Sequence, residues 1–157
     1  MGGGYNGKIG LLTKTQLKVL KLRLNGYTQK EIAEVFGTSR GDIAIIEKRA
    51  WQNIKLAEET LKIYKMLQTV AKAVIDSGTH LVDIPRLVIS AADKVKVKLR
   101  ANFTRIYDEI RFKTPDCIKG TKVIKPLVIL ILKNGDIEVM SVENFQRLNK
   151  IIQKALT

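Results

Sequence analysis

Ser39, Arg40, Gly41, Ala44, Ile45 and Lys48 alternate with Ile43, Ile46 and Ala50 at helical steps, so the first group lies on the outer face of a helix whose apolar face turns inward. Such a face has a definite chemistry. An arginine fork donates two parallel hydrogen bonds to the O6 and N7 acceptors of guanine, and Ala44 and Ile45 suit thymine methyl groups. Ser39 carries a hydroxyl for a base or a phosphate, and Gly41 lets a duplex backbone come close. These five are the expected base-reading residues. Thr28, Gln29, Lys30, Lys48 and Arg49 are donors and cations of the kind that fix register on phosphates.

Holding that face outward requires two more helices. Thr28 followed three residues later by Glu31 forms a capping box and predicts a helix from Gln29, with Ile32, Ala33 and Phe36 inside. Ala33 is small where helices must approach closely. Gly37 supplies the left-handed turn, and Ser39 caps the next helix. Upstream, Thr13 and Gln16 make another capping box. Leu12 and Leu17 are placed as a hydrophobic staple, and Val19, Leu20 and Leu24 carry an apolar face as far as Asn25-Gly26. Two supporting helices and a presented third make a tri-helical DNA-binding unit.

Residues 11–54 contain LT-x-x-Q-x-x-VL-x-LR, then G-x-TQ-x-EIA-x-x-x-GT, then I-x-x-IEKRA. This run resembles the helix-turn-helix of LuxR-type regulators and region four of bacterial sigma factors, and it looks most like the archaeal Tfx family of DNA-binding transcription regulators. The resemblance implies sequence-specific binding to double-stranded DNA, with a small mixed domain after the DNA-binding helices. KPLVILILKNGDIEV adds a looser likeness downstream. Arg40-Gly41-Asp42 departs from the family pattern by opening the recognition helix on a glycine, which bears on which bases are read.

Charge agrees with a polyanion partner. The 157 residues hold 28 Lys+Arg against 15 Asp+Glu, a formal net charge of +13, with pI near 9.9. Residues 1–77 carry 13 against 7 and residues 78–157 carry 15 against 8, so the charge is spread over both halves. Neutralising phosphates releases condensed counterions and drives binding. A membrane partner fits less well: the longest apolar run, residues 127–132, is six residues against the roughly 20 that span a bilayer. No signal peptide is visible, and Met1-Gly2-Gly3-Gly4-Tyr5-Asn6 lacks the Ser or Thr of a myristoylation signal, so a cytoplasmic protein is expected.

An enzymatic reading finds little. Cys117 and His80 are single, which leaves no disulfide, cysteine metal site or histidine dyad. There is no Gly-rich phosphate loop and no G-x-S-x-G elbow. Asp108 and Glu109 are adjacent and would point about 100° apart on a helix. No enzyme activity, metal or cofactor is expected.

Beyond Ala50 no Gly or Pro occurs before Gly78, while Ile46, Ala50, Ile54, Ala57, Leu61, Tyr64, Leu67, Ala71 and Val74 recur at steps of three and four. The stripe suits a dimer seam, or a face packed on the chain's own second domain. Later, residues 80–84 and 95–100 read as strands. Helical faces follow Pro85 and run from Phe103 to Ile110. Residues 127–132 form a central strand, Asn134-Gly135 a type I′ turn into residues 136–140, and Ser141 caps a last helix. Lys96, Lys98 and Arg100 would line one strand face, as a second electrostatic contact or as a guard on a sheet edge.

The expected organisation is α+β: a flexible tail over 1–12, a helix-turn-helix over 13–50, a linker or dimerisation helix over 51–77, and a β-α-β-α-β-β-α domain over 78–157. The expected function is a DNA-binding transcription regulator, a homodimer on double-stranded DNA with RNA polymerase or the general transcription machinery as a further partner. Two alternatives remain. The C-terminal domain could bind a metabolite, or the chain could bind RNA, although Trp51 and Tyr27 are the nearest platforms for stacking unpaired bases.

Overall fold

A computed structural model describes residues 7–157. The chain divides between Leu61 and Lys62 into two compact units. In the first, Lys8–Ile9 (β1) and Leu12–Thr13 (β2) pair as a short hairpin, with Lys8 opposite Thr13. The tail expected over 1–12 is therefore ordered structure from Lys8 onward, and its first six positions lie outside the described residues. Gly10 supplies the left-handed residue that closes the turn.

Three helices follow: α1 (Lys14–Leu24), α2 (Gln29–Phe36) and α3 (Arg40–Leu67). Their ends form as the cap residues require. Thr13 Oγ1 accepts from Gln16 N at 3.1 Å while Gln16 Oε1 accepts from Thr13 N at 3.0 Å, a complete capping box. At α2 only half of the box forms. Thr28 Oγ1 accepts from Glu31 N, but the Glu31 carboxylate accepts from the Thr28 hydroxyl at 3.0 Å rather than from the backbone. Gly37 sits at φ 66°, and Thr38 N donates to Ala33 O at 2.9 Å, closing the helix as a Schellman turn. Val19, Ile32, Ala33 and Ile43 form the core of the unit, flanked by Leu22, Phe36 and Ile46.

The second unit is built on an antiparallel sheet ordered β3 (Thr69–Ile75), β6 (Leu127–Leu132), β7 (Ile137–Ser141). All six residues of β6 are buried, as a central strand with both faces covered must be. Ala73, Ile75, Leu127, Ile129, Ile131, Ile137 and Val139 face one core, with buried residues of α4 (Ile84–Lys94) and α5 (Phe103–Lys113). Val128, Leu130, Leu132 and Met140 face the other, with Met66 and with Leu148 and Ile152 of α6 (Val142–Leu156). A small hairpin, β4 (Ile118–Lys119) and β5 (Lys122–Val123), completes the unit. Glu138, 1% exposed on β7, is neutralised by Lys65 and Lys113, each with Nζ 2.9 Å away. A charge so deep persists only when paired.

The α+β class holds, but the strand order is different. The helix expected over 51–77 stops at Leu67, and Thr69–Ile75 is a strand. Ala71 and Val74 fit a heptad stripe, yet the same residues also alternate inward and outward at period two. Pairing with β6, whose buried backbone groups need partners, decides between the two periods. Residues 80–84 are not a strand: His80 makes one isolated bridge to Lys122, and Leu81–Asp83 is a 3-10 turn leading into α4. Residues 95–100 are not one either. Lys96 takes φ 56°, and Val97 N donates to Ala92 O at 3.1 Å, so α4 ends in a left-handed cap filled by lysine instead of glycine. The basic strand face of Lys96, Lys98 and Arg100 therefore does not form.

The β6–β7 turn differs too. A type I′ turn would put Asn134 and Gly135 both at positive φ, and only Gly135 is there, at 88°. Gly135 N donates to Leu132 O at 2.9 Å and Leu132 N to Asp136 O at 2.9 Å, which is a type I turn followed by a left-handed glycine. Asn134 Oδ1 accepts from Asp136 N, which favours this turn over the mirror-image one.

Candidate nucleic-acid interface

Ser39 Oγ accepts from Asp42 N at 3.1 Å, so the first turn of α3 is capped by one of the expected base-reading residues. The Thr38 hydroxyl donates to the Asp42 carboxylate. The hydrogen bonds from Thr38 and then Ser39 hold Asp42 below the ordinary carboxylate range, so it is ionised at the positive end of the helix.

Beyond that cap the outer face of α3 is open. Ser39, Arg40, Gly41, Lys48 and Arg49 are exposed, Ile45 is 51% exposed, and Ala44 is half-buried. Ile43 is fully buried beneath them and fixes the rotation of the helix. Arg40 makes no ion pair or side-chain hydrogen bond among the described residues, so its guanidinium is free for an outside acceptor. Of the expected phosphate-contacting residues, Thr28 and Lys30 on the α2 side are exposed, whereas Gln29 is half-buried and engaged. Its Nε2 donates to Glu47 Oε2 at 2.9 Å.

Glu47 is the residue that reasoning from sequence passed over. Its carboxylate also accepts from Arg23 Nε at 3.1 Å and from the Trp51 side chain, so one acid ties α1 and α2 to α3. Arg23 in turn donates from Nη1 to Tyr27 O in the α1–α2 turn. The available signal was Glu47 itself, a charged residue set among the apolar inward positions of α3. Burial alone would raise the Glu47 pKa, but hydrogen bonds from Gln29, Arg23 and Trp51 together with the Arg23 charge hold it below the ordinary value. A depressed carboxylate contributes stability above its unfolded value, near 4.5, and loses it as pH falls through the folded value. Glu47→Gln is therefore expected to lower stability by about 1 kcal/mol at pH 7, since Arg23 is partly solvated, and by less below pH 4. Thermal unfolding followed by fluorescence of Trp51, the one tryptophan, measures it; equal pH dependence in the two proteins would refute the assignment.

Gly41 has no internal reason to be glycine. Its φ lies outside the left-handed region, and a Cβ there would meet only Ser39 Oγ, at an ordinary 3.8 Å. Alanine in the first turn of a helix is about 0.5–1 kcal/mol more favourable. Gly41→Ala is expected to raise the melting temperature slightly while weakening DNA binding roughly fivefold or more, as overpacking against a close surface does. A stabilised variant with parental affinity would show that no backbone approaches there.

Taken together, the arrangement is a three-helix head whose third helix offers a capped first turn with Arg40, the cations Lys48 and Arg49 further along, and the apolar side chains of Ala44 and Ile45. Such a face can donate to phosphates and to base edges and can contact methyl groups. No helix of the described residues is long and apolar enough to cross a membrane.

Comparison with known proteins matches both units. The model for sigma-70, region 4 covers residues 9–56, and the model described as DNA-binding protein, TFX, C-term covers residues 57–139. A Methanocaldococcus jannaschii protein named "Putative transcriptional regulatory protein" is 43% identical over 82% of this chain and 93% of its own length. A Methanococcus vannielii protein of the same name is 39% identical over 84% of this chain and 93% of its own length. The DNA-binding protein Tfx of Methanothermobacter marburgensis is 27% identical over 82% of this chain and 93% of its own length.

Proposed function

Because the chain belongs to the Tfx family of DNA-binding transcriptional regulators, we propose that it reads double-stranded DNA sequence-specifically by laying the N-terminal half of α3 in the major groove. The observation that carries this reading is the free, exposed Arg40 beside the Ser39 cap, on a helix whose rotation Ile43 fixes from within. Arg40 pairs with guanine, and Ala44 and Ile45 meet thymine methyl groups. Lys30, Lys48 and Arg49 hold phosphates, with Ser39 and Thr28 assisting. Gln29 acts chiefly by fixing Glu47, which sets the angle between α2 and α3. The protein works as a cytoplasmic homodimer without catalytic chemistry.

Selection of bound sequences from a random duplex pool at fixed salt tests the reading. Enrichment of a motif containing a guanine lost in Arg40→Ala is the expected result. Two inverted half-sites about one helical turn apart would report a dimer in the same experiment. Equal binding to the selected pool and the starting pool would overturn it.

A further inference from the structure

The sheet has two outer strands, and different things lie beyond them. On β7 every residue but Ser141 is buried, and α5 packs against the strand. On β3, hydrogen bonding to β6 uses one edge, and no strand among the described residues pairs with the other. Its outward side chains Val70, Lys72 and Val74 are all exposed. Extended backbone left in this state is a template for another strand. Apolar side chains gather beside it: Val74 is 52% exposed, Leu87 43% and Val95 39%. Grooves of about 340 and 330 Å³ run along it on its α4 and α6 faces.

The strand is also complementary to itself. In antiparallel pairing about a two-fold axis at Val74, Val74 meets Val74, Ala73 meets Ile75, and Lys72 meets Asp76 on both sides of the axis. An axis at Lys72 would instead set two ammonium groups opposite each other, which destabilises a strand pair. We propose that a second copy of this chain occupies the β3 edge, antiparallel and centred on Val74, joining two three-stranded sheets into one of six strands. On the α4 side the groove is lined by small Ser90 and Ala91 between the apolar Leu87 and Val95, with Lys94 beside them, so the partner strand meets a mainly apolar wall there. The inference rests on the homodimer of the proposed function and says where it forms; a monomeric parent would remove that dimer and leave the reading of DNA by α3 standing.

Sedimentation of the full chain at about 0.3 M salt, where the charge of +13 is screened, is expected to give twice the 17.7 kDa of one chain. Asp76→Lys, at an exposed position after the strand, places lysine opposite Lys72 twice and should yield monomer with unchanged circular dichroism. Lys72→Asp should do the same from the other side, although it also removes the ammonium that lies 5.1 Å from the Phe145 ring centre. The double exchange Lys72→Asp with Asp76→Lys should restore the dimer. Tyr64→Ser, on the exposed stripe of α3, should leave it intact. A monomeric parent, single variants that remain dimeric, a double exchange that fails to restore pairing, or dispersal by Tyr64→Ser would each overturn the proposal.

Discussion

Gly135→Ala is expected to lower the melting temperature of the C-terminal unit by roughly 12 to 24 °C, the shift that a loss of about 3 kcal/mol causes in a unit of roughly 100 residues. Two effects combine at this one position. Gly135 holds φ 88°, a region where a side chain is strained, and an added Cβ would lie 2.1 Å from the Lys98 carbonyl oxygen. That oxygen is backbone, in a segment tied to the turn because Arg100 N donates to Gly135 O at 2.9 Å, so it cannot swing away. Gly120→Ala separates the two effects. Gly120 is also left-handed, at φ 61°, but has nothing within 4 Å of the added atom, and its replacement should cost about 1 kcal/mol. Calorimetry of the two variants measures the difference. If they melt within a few degrees of each other, the close approach of residue 98 to the turn is wrong.

Arg40→Ala should weaken binding to the selected DNA by about 1 to 3 kcal/mol, roughly 5- to 150-fold, and relax preference at one base pair. Folding should not register the change, because the Arg40 side chain is exposed and makes no ion pair or side-chain hydrogen bond among the described residues. Lys48→Ala serves as the contrast. As a phosphate contact it should weaken cognate and random duplexes alike and reduce the slope of log affinity against log salt by about one. Titrations of both variants against a cognate and a scrambled duplex at several salt concentrations give both quantities. Parental discrimination in Arg40→Ala would move the base-reading role elsewhere on α3.

The three-helix head was legible because its signals are local. Thr13, Thr28, Ser39 and Gly37 each act on backbone within four residues, and the i, i+4 spacing of Ile32 and Phe36 needs no distant partner to be read. The bracket around Glu47 was not legible, since Arg23, Gln29 and Glu47 meet only after three helices have packed. In the second unit β6 announced itself by an unbroken apolar run, as buried central strands do. β3 did not, because TVAKAVI satisfies both a heptad stripe and a strand until β6 is present to pair with it. Lysine at the left-handed end of α4 disguises a helix stop, and the alternation of residues 95–100 around it imitates a strand.

Ile75 pairs with Leu127 and Thr69 with Leu132, so β3 has no neighbour until more than fifty further residues have been made. At a synthesis rate of about 5 to 20 residues per second, all core residues of the helical head have been made several seconds before the ribosome delivers β6. Through that interval the nascent chain carries a β3 segment with no partner strand on either edge. In that lone strand Lys72 at the midpoint disfavours pairings that set it against another copy's Lys72, while the pairing centred on Val74, which sets Lys72 against Asp76, stays open.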